Sequence, residues 1–485
     1  MAGDPAGAVR SLWAFARLPP TSLSQLSFTS TSTTEPALPS SFHVTALAQS
    51  TIGASALAAA QLFALRSSSA LPRISVDAAN AAAEFRSEQL TTLDGKVGNV
   101  WDEPVGVYEA KEGWCRPHTN WPHHKAGLLD MLGLNEGAKR EELAEAFKTV
   151  NAVEFADRAM EKGLVITGRR TDLHPQGQAA AARIGGPVVM TKVASRPPKL
   201  LPPLSTKRPL QGIRVLDLTR VIAGPTAGRT LATYGAEVLW ITAPHLPTLP
   251  GLDFSTSLGK RAIQLDLRPT SPDSIAKFRQ LLSTADVLLQ AYRPGALSSL
   301  GFSEKEIRQI NPDIVVANLS AWGADGPWRE RKGFDSLIQF GTGIGAAEAD
   351  EWKEFSGESL PLRALPCQAL DHASAFLLAF GIQAALYHRS LTGGSFVVSN
   401  SLLDTATFLR TFGRATPITF ERGLETRNEL RMRGGMNKIS GFEGKEVEYL
   451  RHAARFEEMG EKDVGLRSAP GGYCDGKADW QGCGS

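Results

Sequence analysis

The stretch Gly212–Val238, GIRVLDLTRVIAGPTAGRTLATYGAEV, constrains the fold more than any other, because a buried strand, a glycine-proline elbow and a helix follow one another without a break. Ile213, Val215, Leu216 and Leu218 form the short apolar run of a strand buried inside a parallel sheet, and Ala223-Gly224-Pro225 ends it. Thr226 is placed to cap the following helix through its side-chain oxygen. Ala227, Leu231, Ala232 and Tyr234 carry the spacing of a helix packed on a sheet. Gly235 stops that helix, and Glu237–Ile241 opens the next strand. A helix N-terminus fed by a glycine elbow at a strand's carboxyl end offers N–H groups to an anionic or nucleotide-bearing ligand. The elbow reads A-G-P-T-A-G and lacks the first two glycines of the dinucleotide fingerprint, so a well-made turn without a ligand is the competing reading.

The alternation continues downstream. Strands are predicted at 263–267, 286–289 and 313–319, with helices at 271–283 and 303–310 between them. This regularity implies an α/β fold whose open parallel sheet is covered on both faces. The loop SAWGADGPWRERKGFDS leaves the last of these strands at the same carboxyl edge as the Gly224 elbow, where ligands collect in such sheets. Gln368–Arg389 is a long helix with Asp371 in its first turn, followed by a strand at 396–399 and a helix at 402–409. By itself Asp371 reads first as an ordinary first-turn acid complementing the helix dipole. An earlier run of small residues echoes this segment: Ala46 lines up with Ala369 and Arg66 with Arg389, and Ala48 falls opposite Asp371.

At 485 residues the chain is long enough for about three domains. Residues 1–42, rich in Pro, Ser and Thr, read as a disordered leader, 196–209 as a stiff Pro-rich linker, and 413–485 as a poorly structured tail with one helix near 446–459. Formal net charge is +2, which gives no electrostatic case for nucleic acid or a membrane surface as partner. No uninterrupted apolar run reaches spanning length, and Ala54–Leu65 reads as a packed helix. The four cysteines do not make a disulfide framework, which points to a reducing, cytoplasmic compartment, with a mitochondrial leader as the alternative. Cys115, His118, His123 and His124 lie close together in WCRPHTNWPHH, but their spacing matches no zinc pattern. They are read as capping the helix after them, with no metal.

Six blocks in correct order now resemble one family: GIRVLDLTRVIAGPTAGRTLATYGAEV, GKRAIQLDLR, ADVLLQAYRPGALSSLGF, NPDIVVANLSAWGADGP, GFDSLIQFGTG and ALDHASAFLLAFGIQAALYHRSLTGG. They resemble the family III CoA-transferases, a group that includes formyl-CoA transferase and α-methylacyl-CoA racemase. Residues 140–200 resemble the carboxyl-terminal part of that family, so a tail-half precedes a head-half, as in a truncated tandem fusion. The resemblance implies a Rossmann-like large domain at 210–412, a smaller α/β domain, a degenerate partial copy at 43–195 in a partly duplicated or permuted chain, and a homodimer.

The chemistry implied is CoA transfer from an acyl-CoA to a small carboxylic acid, with the CoA thioester as substrate. Asp371 would be the nucleophile, forming first an anhydride and then an aspartyl-CoA thioester; a carboxylate suits this because it must leave twice. Carried over by position, Val221, Ile222 and Ala223 would line the CoA pocket, and Lys260, Tyr292, Arg293 and Lys332 would meet its adenine and phosphates. Ile222 and Ser299 stand where formyl-CoA transferases carry glutamine and arginine, so oxalate/formate exchange is not supported. Phe334 occupies the place of the racemase histidine; His372 is a candidate substitute, which keeps a 2-methylacyl-CoA racemase as one alternative. A catalytically degenerate CoA-binding protein is the other.

Overall fold

The computed structural model describes residues 3–30, 37–99, 101–170, 186–421, 423–460, 462–474 and 476–480. A turn expected at 173–177 lies outside them.

The residues expected to be a disordered leader instead carry helix α1 (Pro5–Phe15) and strand β1 (Leu26–Thr29). Asp4 caps α1 by accepting from the Ala6 N–H at 2.9 Å. Ala8, Val9, Leu12 and Trp13 form one helical face and are buried, a pattern masked in the sequence by the Ser/Thr-rich stretch around it. Helix α2 (Val44–Ser67), strand β2 (Ile74–Asp77) and helix α3 (Ala78–Glu84) follow, and then the two-residue strand β3 (Thr92–Leu93).

A small lobe comes next. Strands β4 (Tyr108–Glu109), β5 (Trp114–Pro117) and β6 (Ile166–Gly168) make its antiparallel sheet, covered by helices α4 (Pro122–Leu132), α5 (Arg140–Phe147) and α6 (Ala152–Glu161). Phe147, Phe155, Leu129 and Leu143 centre its own core.

The large sheet has seven strands: β7 (Val188–Ala194), β8 (Arg214–Leu218), β9 (Glu237–Thr242), β10 (Arg261–Gln264), β11 (Val287–Gln290), β12 (Val315–Ser320) and β13 (Ser395–Ser401). Their order is β10-β9-β8-β11-β12-β13-β7, parallel throughout except for the antiparallel edge strand β7. This is the Rossmann-like α/β sheet; every strand but β7 lies within a few residues of its expected place, and β7 is an edge strand that no expectation covered. Helix α7 (Ala223–Thr233) follows β8, and helix α8 (Ala369–Thr392) runs into β13 and helix α9 (Leu402–Thr411). Both α2 and α8 are long and apolar enough to cross a membrane, yet 89% and 100% of their most apolar windows are buried inside this fold, where they pack on each other as core helices.

The internal echo is visible in three dimensions. The succession α2–β2–α3 repeats as α8–β13–α9 in the register that sets Ala46 against Ala369. Strand β2 lies between a parallel neighbour, β1, and an antiparallel one, β16 (Ala454–Phe456); β13 likewise lies between parallel β12 and antiparallel β7. Ala48, opposite Asp371, is wholly buried in α2.

In the tail, the helix expected near 446–459 is absent. Strands β14 (Met436–Ser440) and β15 (Glu446–Leu450) form a hairpin there that adds to β3, and β16 follows. Val447 and Tyr449 alternate inward against Phe254 and Phe442, a period of two that the charged composition obscures.

Candidate active site

The elbow after β8 is built around a buried ion pair. Asp217, at the strand's end, accepts from the Thr219 N–H at 3.0 Å and from Lys260 Nζ at 2.8 Å; Lys260 also donates to the Pro225 carbonyl at 2.7 Å. Both side chains are fully buried. Gly228 leaves room for them, since a Cβ there would lie 2.3 Å from the Asp217 carboxylate. Val221 takes φ +75°, a left-handed conformation costly for a β-branched residue, and thereby turns the elbow outward.

Two expectations fail here. Lys260 faces no crevice: it is a structural ammonium under the elbow, its pKa lowered by burial against the opposing pull of Asp217. Thr226 does not cap α7. It sits inside the first turn, the helix has no side-chain cap, and the Thr226 hydroxyl is buried without a partner among the described residues.

A cavity of about 330 Å³ opens at the carboxyl edge of the sheet beside this elbow. Val221, Ile222, Ala223, Tyr292, Arg293, Lys332 and Asp371 all line it, so the structure brings together every predicted site residue except Lys260. Sequence reasoning missed the opposite wall, where the small lobe contributes Trp121, His123 and His124. The signal was present in WCRPHTNWPHH, where histidines and tryptophans crowd one turn. Its cysteine does not join them: Cys115 Sγ lies 3.5 Å from the Ala152 carbonyl in the lobe's core. An adjoining cavity of about 290 Å³ shares Tyr292, Arg293, Leu319 and Ser320 and extends the crevice along the sheet edge.

Asp371 is the third residue of α8 and is mostly buried. Its N–H and that of Leu370 donate to the Asp335 carboxylate at 3.0 and 2.8 Å, so Asp335 caps the helix from outside. Asp335 is fully buried and also accepts from the Gln339 amide. Burial pushes its pKa up to about 6 against those donors. Burial also raises Asp371 well above the usual carboxylate range, and the charges of Asp335 and Glu88 raise it further. A carboxylate destabilised in this way is a strong nucleophile once ionised.

His372 does not face the cavity. It is fully buried, its Nε2 lies 2.7 Å from Glu88 Oε2, and its ring stacks on Phe85. Phe334 lines the cavity and stacks on His118 with ring centroids 4.0 Å apart. The racemase alternative therefore finds no imidazole at either expected place. Burial holds both His118 and His124 down to a pKa of about 3, so both rings are neutral near pH 7.

Residues 210–431 match the model of CoA-transferase family III. Through this segment, less than half of its length, the chain is similar to that family. It is 34% identical over 223 residues to the Mycobacterium tuberculosis protein named probable fatty acyl-CoA transferase Rv3272, covering 43% of this chain and 54% of that one. It is 29% identical over 316 residues to an acyl-CoA transferase of Gibberella moniliformis, covering 60% and 54%. It is 30% identical over 216 residues to a succinate–glutarate CoA-transferase of Agrobacterium fabrum, covering 41% and 52%. The chain thus spans about half the length of the curated relatives it matches.

Proposed function

We propose that this protein moves CoA from an acyl-CoA donor to a carboxylic acid acceptor through covalent intermediates on Asp371. The observation that carries this is the placement of Asp371 in one cavity with the Val221–Ala223 elbow and the cations Arg293 and Lys332, at the head of a helix that is buried along most of its length. The Asp371 carboxylate attacks the thioester carbonyl, and CoA thiolate leaves to give a mixed anhydride. The thiolate returns to the aspartyl carbonyl, releasing the donor acid and leaving an aspartyl-CoA thioester. The acceptor carboxylate attacks that thioester and thiolate leaves again. Thiolate then attacks the acceptor's carbonyl, freeing acyl-CoA product and Asp371.

The α7 N-terminus at Ala223 and Gly224 supports an assignment of this edge to anionic substrate groups, with Tyr292 and Arg293 placed for the nucleotide end of CoA. Trp121, Ile222, Phe334 and Leu402 give the cavity carbon walls, which favours an acyl group larger than formyl. Both halves of one chain wall this cavity. Incubation with an acyl-CoA and a ¹³C-labelled acid, followed by mass spectrometry, should yield the labelled acyl-CoA with wild type and none with Asp371→Asn. Undiminished turnover by that variant refutes the proposal.

A further inference from the structure

A second cavity, of about 460 Å³, lies where the first half of the chain, helix α7 and the tail meet, and among the described residues it shares no lining residue with the substrate cavity. Its floor is polar. Buried Arg229 of α7 donates there to Ser87 Oγ at 2.9 Å and to the Ser255 carbonyl at 3.1 Å, and a guanidinium carries more N–H donors than these two acceptors use. Glu84, the one acid among the described lining residues, is already committed: it accepts from the Ala453 N–H at 2.8 Å and lies 3.0 Å from His452 Nδ1. Leu258, Leu450, Val464 and Leu466 make the walls, together with Tyr449.

The remaining lining side chains are mostly basic: Lys438, Arg451, Lys462 and Arg467, all from the tail. Lys438 pairs with Glu446 at 2.8 Å, whereas among the described residues no acid pairs with Lys462 or Arg467. Their segment is tied down on both sides. The Gly465 N–H donates to the Thr233 carbonyl at 3.0 Å, and buried Arg208 donates to the Gly465 and Lys462 carbonyls at 3.1 and 3.3 Å. Arg467 folds back to donate to that same Lys462 carbonyl at 3.1 Å. Two like charges are therefore held at one cavity without a counter-charge, an arrangement that an anion relieves. A carboxylate would balance one of them; a phosphate monoester brings about two negative charges at pH 7 and three acceptor oxygens.

We infer that this cavity is a second binding site, for a small organic phosphate whose phosphate meets Lys462 and Arg467 and whose apolar body lies against Leu450, Val464 and Leu466. The site is independent of the transferase reading, since no group of the proposed reaction lines it. Backbone ties made before the ligand arrives reduce the ordering entropy that binding costs.

The test titrates the full-length protein with phenyl phosphate by isothermal titration calorimetry at fixed ionic strength, beside methyl phosphate and benzoate. Wild type should bind phenyl phosphate saturably. Methyl phosphate, which lacks the apolar body, and benzoate, which carries a single charge, should each bind about tenfold more weakly. The double variant Lys462→Gln/Arg467→Gln should weaken phenyl phosphate by about tenfold or more at an unchanged melting temperature, the worth of a lost charge-assisted contact. Lys462→Arg, which keeps the charge, should bind like wild type. Should the double variant melt early, Lys462→Gln alone, which leaves the Arg467 tie in place, should weaken binding in the same direction. No saturable binding by wild type, equal affinity in wild type and the glutamine variants, or benzoate binding as tightly as phenyl phosphate overturns the inference.

Discussion

Replacing Lys260 by methionine separates a structural ammonium from a phosphate ligand. In the folded protein both members of the Lys260–Asp217 pair have side chains with no exposed surface, 2.8 Å apart. Removing one member leaves the other charge buried and uncompensated, at a cost of about 3–5 kcal/mol. At about 2–4 °C per kcal/mol for a domain of this size, the melting transition should fall by about 6–20 °C. The double variant Asp217→Asn/Lys260→Met keeps an acceptor for the Thr219 N–H and buries no charge, so it should recover most of that loss. Thermal unfolding by circular dichroism reads the stability, and initial rates against acyl-CoA concentration read KM. A Lys260→Met protein that melts like wild type but has a CoA KM raised tenfold would refute the structural role and restore the ligand one.

Further outcomes follow from the same site. Asp335, raised from 3.8 to about 6, holds its proton more tightly in the folded state, so it costs nothing at low pH and progressively destabilises as pH rises from about 4 to 6, by roughly 3 kcal/mol in all. The melting difference between wild type and Asp335→Asn should therefore change across that window, and a pH-independent difference would contradict the buried-acid account. Because burial and then the Asp335 charge raise Asp371, Asp335→Asn should also shift the acid limb of kcat/KM to lower pH. With Phe334 on His118 and His372 on Glu88, incubation of wild type with a 2-methylacyl-CoA in D2O should leave Cα unlabelled by mass spectrometry; deuterium uptake would revive the racemase. Arg293→Met should raise the KM for acyl-CoA about tenfold, the worth of a lost charge-assisted contact, while the melting temperature stays put; an unchanged KM would remove Arg293 from the CoA site.

The large sheet was legible because each strand, such as the run through Val215 and Leu216, is buried on both faces and reads as an unbroken apolar segment bounded by turn residues. Asp371 and the elbow residues Val221–Ala223 were reached through the resemblance of their matched blocks; by residue pattern alone the acid reads as an ordinary partner of the helix dipole. Lys260 was misread because a lysine in a matched block looks the same whether it meets a phosphate or a carboxylate 43 residues away in sequence. The WCRPHTNWPHH motif marked the His124 wall, but its meeting with Lys332 did not show for a related reason: it spans 208 residues and depends on how the small lobe docks. The leader and most of the tail read as unstructured in sequence because α1 and the β14–β15 hairpin hide short apolar periods among polar residues.

The most direct measurement incubates the protein with an acyl-CoA and hydroxylamine, digests it, and maps the modified peptide by mass spectrometry. Acylation at the head of α8 predicts a hydroxamate on Asp371, formed only when donor is present. Steady turnover without that mark, or with the mark on another carboxylate, would contradict a covalent role for Asp371.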